Sequence, residues 1–301
     1  MDINQKKHTG SIAIIGKPNV GKSSLLNKIF NEKVSIVNAK PQTTRNKIEN
    51  VFVNDKYNIT FIDTPGFHKE RNKLDSFLNK EVKLALKNAD LIYFLCDPTR
   101  PIDDEDMKLL TIIKNLDLPV FLIITKKDLI HKNNINEIIN NLNNVVEFKE
   151  IIFVSINDDD SIISLFKYSE KYLEYTDQIF INNTPNTIQS DLFLVKEIIR
   201  EQCLLLLRQE LPYGVAVLID QFEYNKDKNE FVINASINVE KESQKKIVIG
   251  LNGSMIKQIS MNSRHELLKI YDSKIFLKLF VKVSKNWRDD EVKLKEFGYS
   301  Y

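Results

Sequence analysis

Glycine is scarce in this chain, with eight in 301 residues. A sequence that avoids glycine keeps it where backbone geometry requires it. Five of the eight, Gly16, Gly21, Gly66, Gly250 and Gly253, fall inside the motifs described below. Cysteine is scarcer still. Cys96 and Cys203 lie far apart and outside any metal-ligand spacing, which excludes a disulfide framework and suits a reducing cytosol. No N-terminal apolar stretch has the form of a signal peptide, and no apolar run approaches the length that spans a bilayer, so a soluble intracellular protein is expected. An excess of one charge is also missing. With 43 basic and 41 acidic residues the net charge is +2, and only the distribution of charge can speak about partners. The length accommodates two domains, each with a sizeable core.

An apolar run, Ile12 to Ile15, precedes Gly16-Lys17-Pro18-Asn19-Val20-Gly21-Lys22-Ser23, and Leu25, Leu26 and Ile29 follow at helical spacing. Strand, glycine-bounded loop and helix in this order make a phosphate-binding loop. Backbone N–H groups turn inward around the anion, the helix N-terminus adds its positive end, the Lys reaches the outer phosphates and the Ser hydroxyl binds Mg²⁺. By itself this loop fits a kinase as well as a GTPase. The polar segment that follows contains Pro41-Gln42-Thr43-Thr44-Arg45, where a switch loop would offer a hydroxyl to Mg²⁺; on its own it is ordinary turn chemistry. Two strands, Ile48 to Val53 and Tyr57 to Ile62, are joined by too short a link for a crossover helix and pair antiparallel. The second ends in Asp63-Thr64-Pro65-Gly66. There the carboxylate can hold Mg²⁺ through water and the Gly66 N–H can meet a terminal phosphate.

Helices and continuously apolar strands then alternate, among them Leu91 to Cys96 and Val120 to Ile124. The pattern predicts an α/β fold, a mostly parallel doubly wound sheet with one antiparallel edge strand. After the second of these strands stands Thr125-Lys126-Lys127-Asp128. Alone it reads as a solvated turn. As the third element in this order it selects guanine, because a carboxylate accepts from the ring N–H and exocyclic amine that adenine does not present. A further strand, Glu150 to Val154, ends at Ser155 and Ile156, where a backbone N–H would meet the guanine oxygen. A helix from Ser161 to about Leu173 closes the domain, set at residues 1–175 with a linker over 176–190.

This ordered set resembles a translation-factor-class GTPase, and Pro-Gln-Thr-Thr-Arg is particularly similar to the Era family. The resemblance implies that Ser23, Thr44 and Asp63 serve Mg²⁺ and that Lys22, Thr44 and Gly66 serve hydrolysis of GTP. Thr125 and Ile156 stand where the family most often has Asn and Ala. Thr is shorter than Asn and is not expected to reproduce the amide's contacts, which puts loop rigidity in question. No Gln occurs between Phe67 and Leu74 to orient a water, so intrinsic hydrolysis is expected to be slow. Asn19 is a candidate for coordinating potassium near the phosphates; the alternative is a loop-shaping Asn.

In residues 191–301 the pattern reads helix (Asp191 to about Glu210), two strands (Val215 to Glu223, Phe231 to Val239), two helices around Gly250-Leu251-Asn252-Gly253, and a strand (Ile275 to Val283). A Gly-x-x-Gly turn between helices in this order marks a KH domain of the second type, whose glycines let the backbone approach single-stranded nucleic acid. From Lys241 to Arg288 eleven basic side chains face three acidic ones, a net of +8 in a chain whose total is +2. Lys245, Lys246 and Lys257 flank the turn and, with Gly250 to Gly253, form the expected RNA contact. The Era resemblance continues through Arg208-Gln209-Glu210-Leu211-Pro212-Tyr213, Glu240 to Lys245 and Trp287 to Asp290. Leu251 departs from it, at a usually basic position. The resemblance implies a monomeric, cytoplasmic GTP-hydrolysing switch that binds GTP/GDP and the 3′ end of small-subunit ribosomal RNA. It also implies a role in maturing the small ribosomal subunit, with peripheral contact to the inner membrane surface. The competing expectation is an RNA-binding scaffold with little turnover.

Overall fold

The structure, a computed structural model, describes residues 6–31, 34–35, 44–67, 69–129, 135–177, 188–208 and 211–299. The expected switch residues Pro41, Gln42 and Thr43 lie outside the described residues, as do Gln209 and Glu210. The described residues divide into two compact units, the first of residues 6–71 and 75–177 and the second of residues 188–299 together with 72–74.

The first unit comprises β1 (Lys7–Ile15), α1 (Lys22–Phe30), β2 (Ile48–Val53), β3 (Tyr57–Asp63), α2 (Lys73–Lys87), β4 (Leu91–Cys96), α3 (Asp104–Lys114), β5 (Val120–Ile124), α4 (Ile135–Asn143), β6 (Glu150–Phe153), α5 (Asp159–Ser169) and β7 (Glu174–Thr176). The sheet runs β2-β3-β1-β4-β5-β6, parallel except for β2, which lies antiparallel on β3. Successive residues of β4 and β5 enter opposite cores. Tyr93, Leu95, Phe121 and Ile123 meet Leu25 and Leu26 of α1 and Phe166 of α5, while Ile92, Phe94, Leu122 and Ile124 meet Val82 and Leu86 of α2 and Leu109 of α3. Each such side chain contributes about 1.5–3 kcal/mol on burial, so the sheet is the rigid platform of the unit. With α1 on one face and α2 on the other, a crevice opens at the carboxyl end of β1, where the phosphate loop starts.

The end of this unit differs from expectation. α5 stops at Ser169, residues 170–172 tighten into a 3-10 turn, and β7 pairs antiparallel with the start of β1, Lys7 opposite Thr176. β1 begins five residues earlier than its apolar run and so presents a free edge, and the Tyr175 ring lies 4.9 Å from that of His8. Thr176 therefore belongs to the sheet rather than to a linker, and the next helix already starts at Ile188.

The second unit comprises α6 (Ile188–Leu206), β8 (Ala216–Asn225), β9 (Glu230–Val239), α7 (Glu242–Ile249), α8 (Ser254–Leu268), β10 (Lys274–Val283) and α9 (Glu291–Glu296). β9 is central, with β8 antiparallel and β10 parallel to it. Val195, Ile199 and Cys203 of α6, Val248 of α7 and Ile259 of α8 close on Val217, Ile233 and Ile237 of the sheet. The tail after β10 packs back onto this unit. Trp287 is fully buried and donates from Nε1 to the Gly214 carbonyl at 3.0 Å, Phe297 packs edge-on against it, and Tyr299 stacks on it. Arg288 holds Glu240 through Nη2 at 2.6 Å, and Gln244 Oε1 accepts from the Glu240 and Lys241 N–H groups. Burial pushes both thiols, Cys96 and Cys203, up to about 12, so they behave as small apolar residues. Among the described residues, no helix is long and apolar enough to cross a membrane.

Candidate nucleotide site and nucleic-acid interface

The phosphate loop is drawn around its own lysine. Lys22 is buried at the start of α1, and its Nζ donates to the carbonyls of Gly16 at 3.0 Å and Lys17 at 2.8 Å. Burial, reinforced by Arg100 and opposed by Asp63, pushes this ammonium down to about 8. Gly66 lies against the same loop. A Cβ there would sit 2.7 Å from the Pro18 nitrogen, so only glycine lets the β3 end come this close. Asn19 has φ of 66°, which fits the loop-shaping alternative for this residue.

The lowered Lys22 value has a consequence for the empty, metal-free protein. The unfolded ammonium titrates near 10.4. Between about pH 8 and 10 the unfolded chain therefore holds a proton that the folded one has shed, and stability rises with pH at up to about 1.4 kcal/mol per unit. Below this window Lys22 contributes no slope. The raised thiol of Cys96 works in the opposite sense over the same range, so urea denaturation should show the Lys22 effect as a difference: the stability of the wild type relative to Lys22→Met should rise with pH across the window.

Asp63 collects the hydroxyls. Its Oδ2 accepts from Ser35 at 2.8 Å, Ser23 at 3.1 Å and Thr44 at 3.4 Å, and Ser23 and Thr44 are 3.2 Å apart. Its Oδ1 is buried with no hydrogen-bond partner among the described residues. Burial lifts the Asp63 pKa although Lys22 and the serines pull it down. Ser35 escaped the sequence reading; Asn27 fixes it by accepting its N–H at 2.9 Å and donating to its carbonyl at 2.8 Å. Thr64 turns its hydroxyl onto the Ile14 carbonyl, tying β3 to β1 beside the loop.

At the far end of the crevice Thr125 corrects the expectation placed on it. Its hydroxyl reaches the Val20 carbonyl at 2.8 Å, with the Cys96 carbonyl at 3.2 Å, so it braces the phosphate loop although it is shorter than Asn. Lys126, at φ of 51°, pairs with Asp97, and Lys127 pairs with Asp158. Asp128 is exposed, and Ser155 Oγ donates to its Oδ1 at 2.8 Å. Ser155 thus orients the carboxylate, a contact that spacing alone did not indicate. Ile156 is 47% exposed at the rim.

A second layer behind the loop carries no motif. Lys17 Nζ reaches Asp103 at 2.5 Å and Asp106 at 3.2 Å, and Arg100 Nη2 donates to the Pro18 carbonyl at 3.0 Å. Burial lowers the Lys17 pKa, but the two carboxylates outweigh it and hold the value above normal. Their own shifts disagree in sign. Burial dominates at Asp106 and lifts it, whereas at the more exposed Asp103 Lys17 prevails and holds it low.

In the second unit Gly250 caps α7 at φ of 74°, its N–H bonded to the Lys246 carbonyl at 2.9 Å, and a Cβ there would lie 2.7 Å from the Met255 nitrogen. Gly253, at φ of 78°, differs: nothing lies within 4 Å of its would-be Cβ. The first glycine is required by packing, and the second faces open space. Leu251 at the tip is 84% exposed, Asn252 has φ of 51°, and Lys246 and Lys257 are exposed beside it, with Lys245 half-buried.

Comparison with known proteins agrees with the two kinds of domain. A family model described as 50S ribosome-binding GTPase matches residues 11–126, and a KH-domain model matches residues 210–288. GTPase Era of Ureaplasma urealyticum is 42% identical over 295 residues, covering 97% of this chain and 98% of that protein; GTPase Era of Clostridium tetani is 41% identical over 292 residues, with the same coverage. Two solved structures superpose over 98% of this chain and all of theirs at 33% identity. One is Era in complex with MgGDPNP and nucleotides 1506–1542 of 16S ribosomal RNA, with a TM-score of 0.90; the other is a variant of Aquifex aeolicus Era bound to GDP·AlF4⁻, with a TM-score of 0.89. With a GTPase unit, a KH unit and near-complete coverage at this identity, the chain belongs to the Era family of GTPases.

Proposed function

We propose that the chain is a two-domain switch that binds and hydrolyses GTP, binds the 3′ end of small-subunit ribosomal RNA, and assists maturation of that subunit. The observation that supports it most is the Asp63 cluster, a buried carboxylate with three hydroxyls on one oxygen and no hydrogen-bond partner among the described residues on the other, beside Lys22. That donor set fits Mg²⁺, a hard cation that takes oxygen ligands. Ser23 and Thr44 would hold it directly and Asp63 through water, and when bound it neutralises charge on the outer phosphates.

The chain's own groups do the rest. Lys22 exchanges the Gly16 and Lys17 carbonyls for the outer phosphates, the N–H groups from Asn19 to Ser23 cradle the chain of phosphates, and Gly66 offers its N–H to the terminal one. Asp128, steadied by Ser155, accepts from guanine, while Lys126, Lys127 and Ile156 line the base. Phe67 is buried in the core layer under α2, so the residue after Gly66 does not orient water and unassisted turnover is slow. Lys245, Lys246 and Lys257 meet RNA phosphates around the Gly250 to Gly253 turn. Similarity to an Era solved with 16S ribosomal RNA nucleotides supports this choice of RNA.

Single-turnover GTP hydrolysis with and without an oligonucleotide of the rRNA 3′ end, in potassium and in sodium, tests the reading. Slow turnover that RNA accelerates is expected. Turnover that is absent with and without RNA identifies the scaffold instead, and ATP competing as well as GTP removes the guanine assignment. The reading places the protein in the cytoplasm as a monomer with peripheral access to the membrane surface; sedimentation and flotation with anionic vesicles test these two points.

A further inference from the structure

The connection from β4 to α3 grips the outside of the phosphate loop. Its residue Arg100 donates from Nη2 to the Pro18 carbonyl at 3.0 Å, with Nε 3.6 Å from Asp97 Oδ2. Asp97 does not depend on that contact for its place, because Thr99 holds it through its hydroxyl at 2.6 Å and its N–H at 3.0 Å, and Lys126 holds its other oxygen. Three successive carbonyls of the loop thus go to two cations: those of Gly16 and Lys17 to Lys22, that of Pro18 to Arg100.

Peptide geometry gives this division a meaning. The Pro18–Asn19 bond is trans, so the Asn19 N–H points opposite to the Pro18 carbonyl. Pro18 has no N–H of its own and packs on Gly66, which leaves Asn19 as the first residue after Lys17 able to donate to an anion. A guanidinium on one end of a peptide also polarises the N–H at the other.

We propose that Arg100 is a positioning residue for GTP hydrolysis: by holding the Pro18 carbonyl it aims and strengthens the Asn19 N–H toward the phosphate chain. This rests on the GTPase reading of the site. A preorganised donor matters more as charge develops in the transition state than in the ground state, so the effect falls on turnover rather than on binding.

Arg100→Met keeps the stem and removes the donors; Arg100→Lys keeps one. Single-turnover hydrolysis by Arg100→Met should fall about 10-fold with GTP and GDP affinities within about 3-fold of wild type, and Arg100→Lys should recover most of the rate. The phosphorus resonances of bound GDPNP should shift in the Met variant and return toward wild type in the Lys variant. An unchanged rate in Arg100→Met, or a parallel loss of GTP and GDP affinity with turnover per bound nucleotide retained, overturns the inference while leaving the GTPase reading intact. A wild-type protein that binds GTP without turning it over removes that reading and the inference with it.

Discussion

Asp128→Asn should lower GTP affinity by roughly 10²- to 10⁴-fold and let xanthosine triphosphate bind in its place. Guanine offers two donors to this carboxylate, and charge-assisted hydrogen bonds of this kind contribute about 1.5–3 kcal/mol each. In the variant the amide oxygen can keep the Ser155 hydroxyl that now donates to Asp128 Oδ1, which turns the NH₂ toward the base. A donor there opposes guanine and suits the oxygen that xanthine carries in place of the amine. ATP affinity should stay unchanged. Competition against a fluorescent GDP, run with GTP, ATP and XTP, measures all three; undiminished GTP affinity would remove Asp128 from the site.

Trp287→Ala should cost the second unit about 3–5 kcal/mol, the range for emptying a buried aromatic site. The indole is fully buried, donates to the Gly214 carbonyl and lies between Phe297 and Tyr299. Domains are stable by only about 5–15 kcal/mol in all, so a large share of the stability goes with one side chain. RNA binding in a gel shift should fail while GTP binding keeps its wild-type affinity. Trp287→Phe retains most of the ring and forfeits the N–H bond, so it should lose only about 1–2 kcal/mol. Thermal unfolding followed separately in the two units checks the size and the place of the loss; an unmoved transition in the second unit would contradict the role given to Trp287.

How far these sites were legible depended on whether the signal was local. The strands Leu91–Cys96 and Val120–Ile124 lie where their apolar runs predicted, because a sheet covered on both faces needs apolar residues at every position. The phosphate loop, the Asp63 turn and the Gly250 to Gly253 turn were legible for the same reason: each places its chemistry within a few consecutive residues. β7 was not, since three residues pair with a partner at the other end of the unit. The hold of Arg100 and Asp103 on the loop was invisible because charged residues in a connection look like solvated ones until their partners are known. Thr125 was misjudged by comparing its length with Asn, when the Val20 carbonyl lies close enough for a hydroxyl. Trp287 stood out in a family motif, but that motif did not say that Gly214 would partner Trp287 or that Glu240 would partner Arg288.

The pairing of β7 with β1 also decides how the first unit bears force. Lys7 lies opposite Thr176, His8 opposite Tyr175 and Thr9 opposite Glu174, so the incoming and outgoing chain leave the sheet at the same corner. Tension between them opens the ladder one pair at a time instead of shearing several bonds at once. A pull transmitted through the chain beyond residue 177 would peel this corner first, leaving the opposite end of β1, and with it the phosphate loop, under no load.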